Sequence, residues 1–418
     1  MSLHATAAAP AFVLPQQRSL LERLQLFLLW AIGAVSSLAF IEPSPYEFAV
    51  LGALVLFALA GLTVRAALVP IALLLITINI GYTSSAIGLF DQQGVLMWIL
   101  TSWYLATTAV FFALAMSDDT EARLNALMRG IIIGAIIASV AAIIGYSRVI
   151  GSLNDLLLLY GRARGTFKDP NVLGAYLVLP ALLCLREVIS ARFARAARHA
   201  VLFAMMAAAV LLTFSRAAWG LTVVAVFVML LLTFLTTPSS SQRLRIVLLT
   251  VAGIAAMAVF VAALLSIDAV ADLFKERASL SQGYDWGPQG RFGRHALGAI
   301  MALDVPLGIG PLQFSKYFPE DPHNSFLNAF MAGGWLSGVC YPIILISTLG
   351  FGLRAVFQRT PWQPITVVVF SAYAGGAFES AIIDIDHWRH MFLLLGVLWG
   401  LIVANTRYLA QAGTPRTA

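Results

Sequence analysis

The sequence predicts an all-α polytopic membrane protein with about twelve transmembrane helices and one large loop on its outer side. Three observations predict it. Hydrophobic residues make up 60% of the 418 and charged residues only 11%, with a mean hydropathy of +0.87, far more apolar than a soluble domain of ordinary usage. Apolar runs of about 18 residues recur along the chain, long enough to cross the hydrocarbon of a bilayer as helices. The charged residues gather between those runs, with almost none within them.

Taken in order, the runs cover residues 24–41, 46–64, 67–89, 95–116, 128–146, 172–185, 199–214, 217–235, 246–266, 324–349, 363–378 and 391–406. The shorter ones are expected to be tilted or broken helices. Pro43 and Pro45 leave room only for a tight turn between the first two, and the break at Ser215-Arg216 is as short. Residues 267–323 form the longest connection, expected to contain short helices. Because each span needs neighbours to cover its few polar groups, residues 1–418 are read as a single membrane-embedded domain. The first twenty residues lack an apolar core with a cleavage site, so the first span is expected to anchor the chain. Cys184 and Cys340 lie in apolar runs without metal-ligand spacing, and no disulfide is expected.

Charge orients the spans. With the N-terminus placed inside, the inner loops hold fifteen of the 26 basic residues and few acids, so both termini are expected to be cytoplasmic. The other eleven basic residues fall in four outer segments, against that bias. Arg148, Arg162, Arg164 and Lys168 lie in residues 147–171, Arg216 in a tight turn, Lys275, Arg277, Arg291, Arg294 and Lys316 in the long loop, and Arg389 just before the last span. Outer arginines can simply pair with outer acids or lipid phosphates, which suffices for Arg148, Lys275 and Lys316. It suffices less well for Arg162, Arg164, Arg216 and Arg291, which stand beside glycine or at a span edge, where an unpaired cation is costly. The planar arginine fork grips phosphate at two points, so a diphosphate is the expected ligand on this side.

Four stretches carry the chemistry. In GRARGTFKDPN, residues 161–171, two arginines at i and i+2 can point the same way, and Asp169-Pro170-Asn171 is a helix cap. In TFSRAAWG, residues 213–220, Arg216 interrupts a long apolar stretch where a plain hairpin breaker would have served. In the long loop Gly290-Arg291-Phe292 opens an amphipathic helix over 291–303, followed by Leu307-Gly308-Ile309-Gly310-Pro311, a turn of the kind that lets a backbone approach a ligand. Finally His323 and Asn324 stand at the mouth of the tenth span. A histidine there is often a cap, but its place after the arginine-rich loop points to a general base.

The roughly twelve spans, the Ser-Arg turn, the large outer loop before the tenth span and the pattern His-Asn-x9-Gly resemble the bacterial O-antigen ligases and their relatives, the O-antigen polymerases. The resemblance is strongest over residues 160–340. The ligase pattern continues with two residues and then Gly, Thr or Tyr, where this chain has Ser337 followed by Gly338. The resemblance implies His323 as the catalytic residue and Arg216 and Arg291 as binding a lipid diphosphate. By extension Arg162, Arg164, Arg294 and Arg389 join the diphosphate or acceptor site, with Asn324 and His387. The Asp384-Ile385-Asp386 pair beside His387, Arg389 and His390 is read as supporting the site or binding the acceptor.

The implied activity is metal-independent and needs no cofactor. It moves O-antigen polysaccharide, with inversion, from undecaprenyl diphosphate to a sugar of the lipid A-core, at the periplasmic face of the bacterial inner membrane. The expected partners are that donor, that acceptor and membrane lipids, with no nucleic acid. A polymerase joining two lipid-linked chains remains open. So does a transporter of lipid-linked sugars, though transporters place ionisable residues near the midplane or in matching broken helices, and here the titratable groups collect on one face.

Overall fold

The computed structural model describes residues 18–266, 268–278, 287 and 290–413. Within the long loop, Asp285 and the other residues at 267, 279–286, 288 and 289 therefore lie outside the described residues, as does the C-terminal Arg416. The described residues form α1 (Leu20–Val35), α2 (Pro45–Leu59), α3 (Val69–Ser85), α4 (Val95–Met116), α5 (Thr120–Ser147), α6 (Asn154–Leu157), a hairpin of β1 (Leu158–Leu159) and β2 (Arg162–Ala163), α7 (Pro170–Ser190), α8 (Phe193–Leu212), α9 (Arg216–Thr236), α10 (Ser240–Leu264), α11 (Asp268–Ala278), α12 (Arg291–Asp304), α13 (Ser325–Val356), α14 (Gln363–Glu379) and α15 (Arg389–Gly413). The protein is thus an all-α polytopic membrane protein. Twelve of these helices coincide with the twelve apolar runs. Among the described residues nine are long and apolar enough to cross a bilayer, while α1, α2 and α14, at 16, 15 and 17 residues, are shorter.

Local sequence sets the helix starts. Ser19 with Glu22, and Ser44 with Glu47, form reciprocal capping boxes at α1 and α2. Asp169 accepts from the Asn171 amide with Pro170 in the first turn of α7, as the Asp-Pro-Asn signal predicts. Ser215, Ser239 and Asn324 cap α9, α10 and α13 through their side-chain oxygens.

The bundle is built from close pairs: α1 with α5, α3 with α13, α4 with α15, α7 with α8, and α9 with α14. Small residues permit this closeness, as expected where apolar lipid gives helices no hydrophobic drive to associate. At the α1–α5 crossing, a methyl group at Gly130 would overlap the Trp30 carbonyl and one at Gly33 would stand 2.5 Å from the Leu127 carbonyl oxygen. At the α3–α13 crossing Ser337, the departure from the family pattern, is fully buried and donates to the Ile78 carbonyl at 2.8 Å.

Contacts between connections respect the two-sided arrangement. At the end where α1 begins and α15 finishes, Asp118 takes Arg65 and Arg407, each at 2.6 Å, and Asp119 takes Arg18 at 2.6 Å. At the other end Arg389 meets Glu42 and Glu47, Lys168 meets Glu42, and residue 39 bridges to residue 167.

Two expectations are refined. The tenth apolar run becomes the 32-residue α13, about 48 Å at 1.5 Å per residue, and it is broken at Gly334 (φ 65°, ψ −164°). The glycine turn at 307–311 does approach a backbone closely, but the backbone is this break. The Ile309 amide donates to the Met331 carbonyl at 2.7 Å and the Trp335 amide to Pro306 at 2.9 Å. Gly308 and Gly310, both at positive φ, make the approach possible.

Orientation is testable at exposed positions. In a background lacking Cys184 and Cys340, cysteines replacing Tyr160 and Leu307 are expected to react with a membrane-impermeant thiol reagent added outside. A cysteine replacing Val64 is expected to react only after permeabilisation, and the reverse pattern overturns the assignment. All three side chains are more than three-quarters exposed, so failure to label cannot be put down to burial within the protein.

Candidate active site

The site is built where α12, the start of α13 and the α14–α15 connection meet. Asn324 caps α13, its Oδ1 accepting from the Leu327 amide at 3.0 Å, while its Nδ2 donates to the Ala381 carbonyl. Next to it Ser325 exchanges hydrogen bonds with the same connection: its amide donates to Ser380, its hydroxyl to Ile383, and it accepts from the Ile385 amide at 2.8 Å. The Asp384 carboxylate closes the junction. One oxygen accepts from the His323 amide at 3.0 Å and the other from the Asn324 amide at 2.8 Å.

His323 has a positive φ of 49°, unusual for a residue with a side chain. Its Nδ1 lies 3.6 Å from Asp384 Oδ2, beyond hydrogen-bond length but within strong electrostatic reach. Burial holds its pKa below the ordinary histidine value, and the Arg291 charge, with a smaller push from Arg294, lowers it further; Glu320 and Asp321 act in the opposite sense. The imidazole is therefore neutral at neutral pH, as a proton acceptor must be. Asp384 is displaced the other way, above the usual carboxylate range, by burial and then by the neighbouring Asp386 charge, against the pull of the two amides.

The arginines reach His323 through α12. This helix buries Arg294, Gly298 and Ala302 at fourfold spacing against α13, confirming the amphipathic pattern. Arg294, 3% exposed, donates to Glu320 at 2.7 Å. Arg291 opens the helix, and its charge is felt at both His295 and His323. Arg216 opens α9, which packs along α14 so that Gly220 faces Phe378. That places Arg216 at the same end of the bundle as the junction.

The other predicted residues have partners within the fold. Arg162 donates to the Thr213 carbonyl at 2.7 Å and to Asn171 Oδ1 at 2.9 Å, bracing the turn that presents Arg216. Arg164 does not point with it; its donors go to the carbonyls of Leu156 and Asp155. Arg389 meets Glu47, Glu42 and the Ser44 hydroxyl. His387 bonds Asp386 through Nδ1 at 3.2 Å and lies against Trp98, ring centroids 3.9 Å apart, while Asn328 donates to the same Asp386 oxygen.

Two cavities share His387 and Trp388. One, about 140 Å³, is walled by Trp98, Phe314, Trp388 and Asn328 with Asp321, Asp384 and Asp386. The other, about 260 Å³ and mostly apolar, is bordered by Lys168, Arg389, His390, Tyr46 and Tyr176. A cavity of about 810 Å³ opens at the opposite end beside Arg129, Arg186, Arg195 and Arg245. Glu187 pairs with Arg186 and Arg195 there, and the excess charge is what orientation alone requires.

Sequence reasoning missed the specific work of Asp384, and it missed His295 and the fully buried Glu379, whose carboxyl oxygens have no hydrogen-bond partner among the described residues. A lone acid at the end of an apolar run was a readable signal for Glu379. No local signal marked His295.

The fold and the junction define a polytopic membrane protein with a histidine–arginine site at one end of its bundle. Residues 201–341, about a third of the chain and including Arg216, Arg291 and His323, match the family described as O-Antigen ligase, and this segment is an O-antigen ligase family domain. That family consists of glycosyltransferase-like membrane enzymes of the ligase and polymerase type, acting on lipid-linked polysaccharide. No curated protein sequence gives a significant match to the chain.

Asp384→Ala removes the acceptor for two amides at the junction, and unmet amides of this kind cost about 1–3 kcal/mol. The variant is expected to melt at lower temperature in detergent and to lose turnover. Asp384→Asn keeps an acceptor for one of the two amides and sets an NH2 group against the other, so it is expected to retain part of both; full stability and turnover of Asp384→Ala would show that the junction does not depend on the carboxylate.

Proposed function

We propose that the protein is an O-antigen ligase, a metal-independent inverting glycosyltransferase with its active site on the periplasmic face of the bacterial inner membrane. It transfers polysaccharide from undecaprenyl diphosphate to a sugar hydroxyl of the lipid A-core. The observation that carries the reading is the placement of His323 at the mouth of α13, its Nδ1 3.6 Å from Asp384 and its ring within the field of Arg291, which together with burial holds its pKa low.

With Nδ1 turned toward Asp384, His323 Nε2 accepts the proton of the acceptor hydroxyl. The acceptor oxygen attacks the anomeric carbon from the face opposite the diphosphate, a C–O bond forms, and the bond to the phosphate oxygen breaks with its electron pair. Configuration inverts. Arg216 and Arg291 receive the negative charge that grows on the departing diphosphate. The 140 Å³ cavity suits the acceptor: aromatic walls stack on a sugar ring, carboxylates accept from its hydroxyls, and the acids repel a second anion. Arg162 supports the turn of Arg216, and Arg389 and Arg164 hold neighbouring connections.

Four outcomes check this. In a purified assay with polyprenyl-diphosphate-linked polysaccharide and core-only lipopolysaccharide, His323→Ala is expected to fold, bind donor and lose about 10²–10⁴-fold in turnover. Arg216→Ala or Arg291→Ala is expected to lose a charge-assisted contact of about 1.5–3 kcal/mol, with lysine rescuing only in part because it lacks the two-point fork. Transfer is expected to continue in EDTA; if Mg²⁺ is required, the arginine account of the leaving group fails. A strain lacking the protein is expected to accumulate long chains on the lipid carrier, whereas accumulation of single repeat units identifies a polymerase.

The acidic limb of the rate profile provides a further check. A base with a lowered pKa keeps its activity below the ordinary histidine value of about 6.5, and activity falls once His323 protonates. Removing negative charge with Glu320→Gln and Asp321→Asn takes away what raises that pKa, so the limb is expected to move to lower pH. Movement to higher pH, or none, would assign the limb to another group.

A further inference from the structure

We infer that His295 is a positioning residue that aims the catalytic base, by holding the peptide immediately before it. His295 Nε2 lies 2.6 Å from the Pro322 carbonyl oxygen, and that carbonyl belongs to the Pro322–His323 peptide. The N–H of the same peptide donates to Asp384 at 3.0 Å. One peptide group is thus gripped on both edges, from α12 and from the α14–α15 connection. The grip has a purpose, because His323 sits at φ 49°, a region that residues with side chains keep only when their surroundings enforce it. Fixing the orientation of that peptide plane fixes φ, and φ directs the imidazole.

The same contact sets the distance between base and cation. His295 lies one helical turn after Arg291, so the two share a face of α12. The Arg294–Glu320 ion pair adds a second tie between this helix and residues 320–322. The ring of His295 also packs edge-on against Phe292, centroids 5.9 Å apart, so its Nε2 is held toward the loop. Burial keeps its pKa below the ordinary value, against the opposite pull of the Pro322 contact and with a smaller push from Arg291 and Arg294. In the neutral tautomer that fits the contact, Nε2 carries the hydrogen and donates it. Nothing in this geometry asks His295 to exchange a proton with substrate.

The inference rests on His323 being the base, and the experiment separates the two. Turnover and donor KM are measured in the purified transfer assay for His295→Leu, which removes the donor, and His295→Gln, which places an amide N–H at similar reach. His295→Leu is expected to lose about 10–100-fold in kcat, the scale of a misaimed catalytic group, with donor KM unchanged within about twofold. His295→Gln is expected to recover most of that loss. Full turnover of His295→Leu overturns the clamp, and so does a His295→Gln variant as impaired as leucine. If the leucine variant does not fold, the glutamine variant decides alone: near-normal kcat supports the clamp and a large loss overturns it. His323→Ala run beside them reports on the base itself, because an active His323→Ala sinks the proposed function whatever His295 does.

Discussion

Hydrocarbon gives no hydrogen bonds, and nearly everything in this molecule follows from that constraint. A chain that is 60% apolar can meet it only by closing backbone hydrogen bonds within helices and by sending charge to the helix ends. The two ends then have different tasks. At one, Asp118 and Asp119 gather Arg18, Arg65 and Arg407 and tie connections that are distant in sequence. At the other, Arg389 and Glu47 do the same for α15 and α2. Single exposed ion pairs contribute little, but these are partly shielded, several share one carboxylate, and each pins a connection that would otherwise be free to open.

The break in α13 is the place where the constraint is locally violated and repaired. Gly334 interrupts the helix and leaves its neighbours without their usual partners. Backbone from 306 to 309 enters the gap and supplies them, with Met331 accepting from Ile309 and Trp335 donating to Pro306. Irregular backbone at this position is tolerable because other backbone satisfies it. The repair also fastens α12 to α13 just beyond the end of α12. Trp335 Nε1 donating to the Ala302 carbonyl fastens them again. The described stretch from 290 to 323 is thereby fastened to α13 beneath the histidine.

Periodicity and capping residues made most of the fold legible: the twelve helices, the start at Asp169 and the amphipathic α12 are all local signals. The candidate site was legible in part. His323 and Arg216 stood out because each borders or interrupts an apolar run, where a charge is expensive and so needs a reason, and Arg291 because it follows Gly290 at the start of an amphipathic helix. What was hidden is pairing across long separations. Nothing near Arg389 indicates that its partners are Glu42 and Glu47, and nothing near Arg162 or Arg164 indicates that backbone carbonyls absorb their donors. The glycine turn at 307–311 showed that close approach was needed without showing to what. His295 looks like any other polar residue on an amphipathic helix until the 322 carbonyl is placed opposite it.

On the proposed reading, in which His323 is the base, these placements account for a base standing beside acids. Asp384 is near enough to orient the imidazole, and by itself it would favour a charged ring. Two features limit that effect. The carboxylate already accepts from two backbone amides, and Asp386 beside it disfavours full negative charge at the pair. From the opposite side Arg291 and Arg294 act on His323 in the sense that keeps it neutral. In the proposed reaction, the positive field that keeps the base unprotonated is also the field that would attract an anionic lipid head and accept its leaving charge. The same arginines can therefore prepare both partners of the reaction, provided that α12 and the start of α13 keep a fixed spacing.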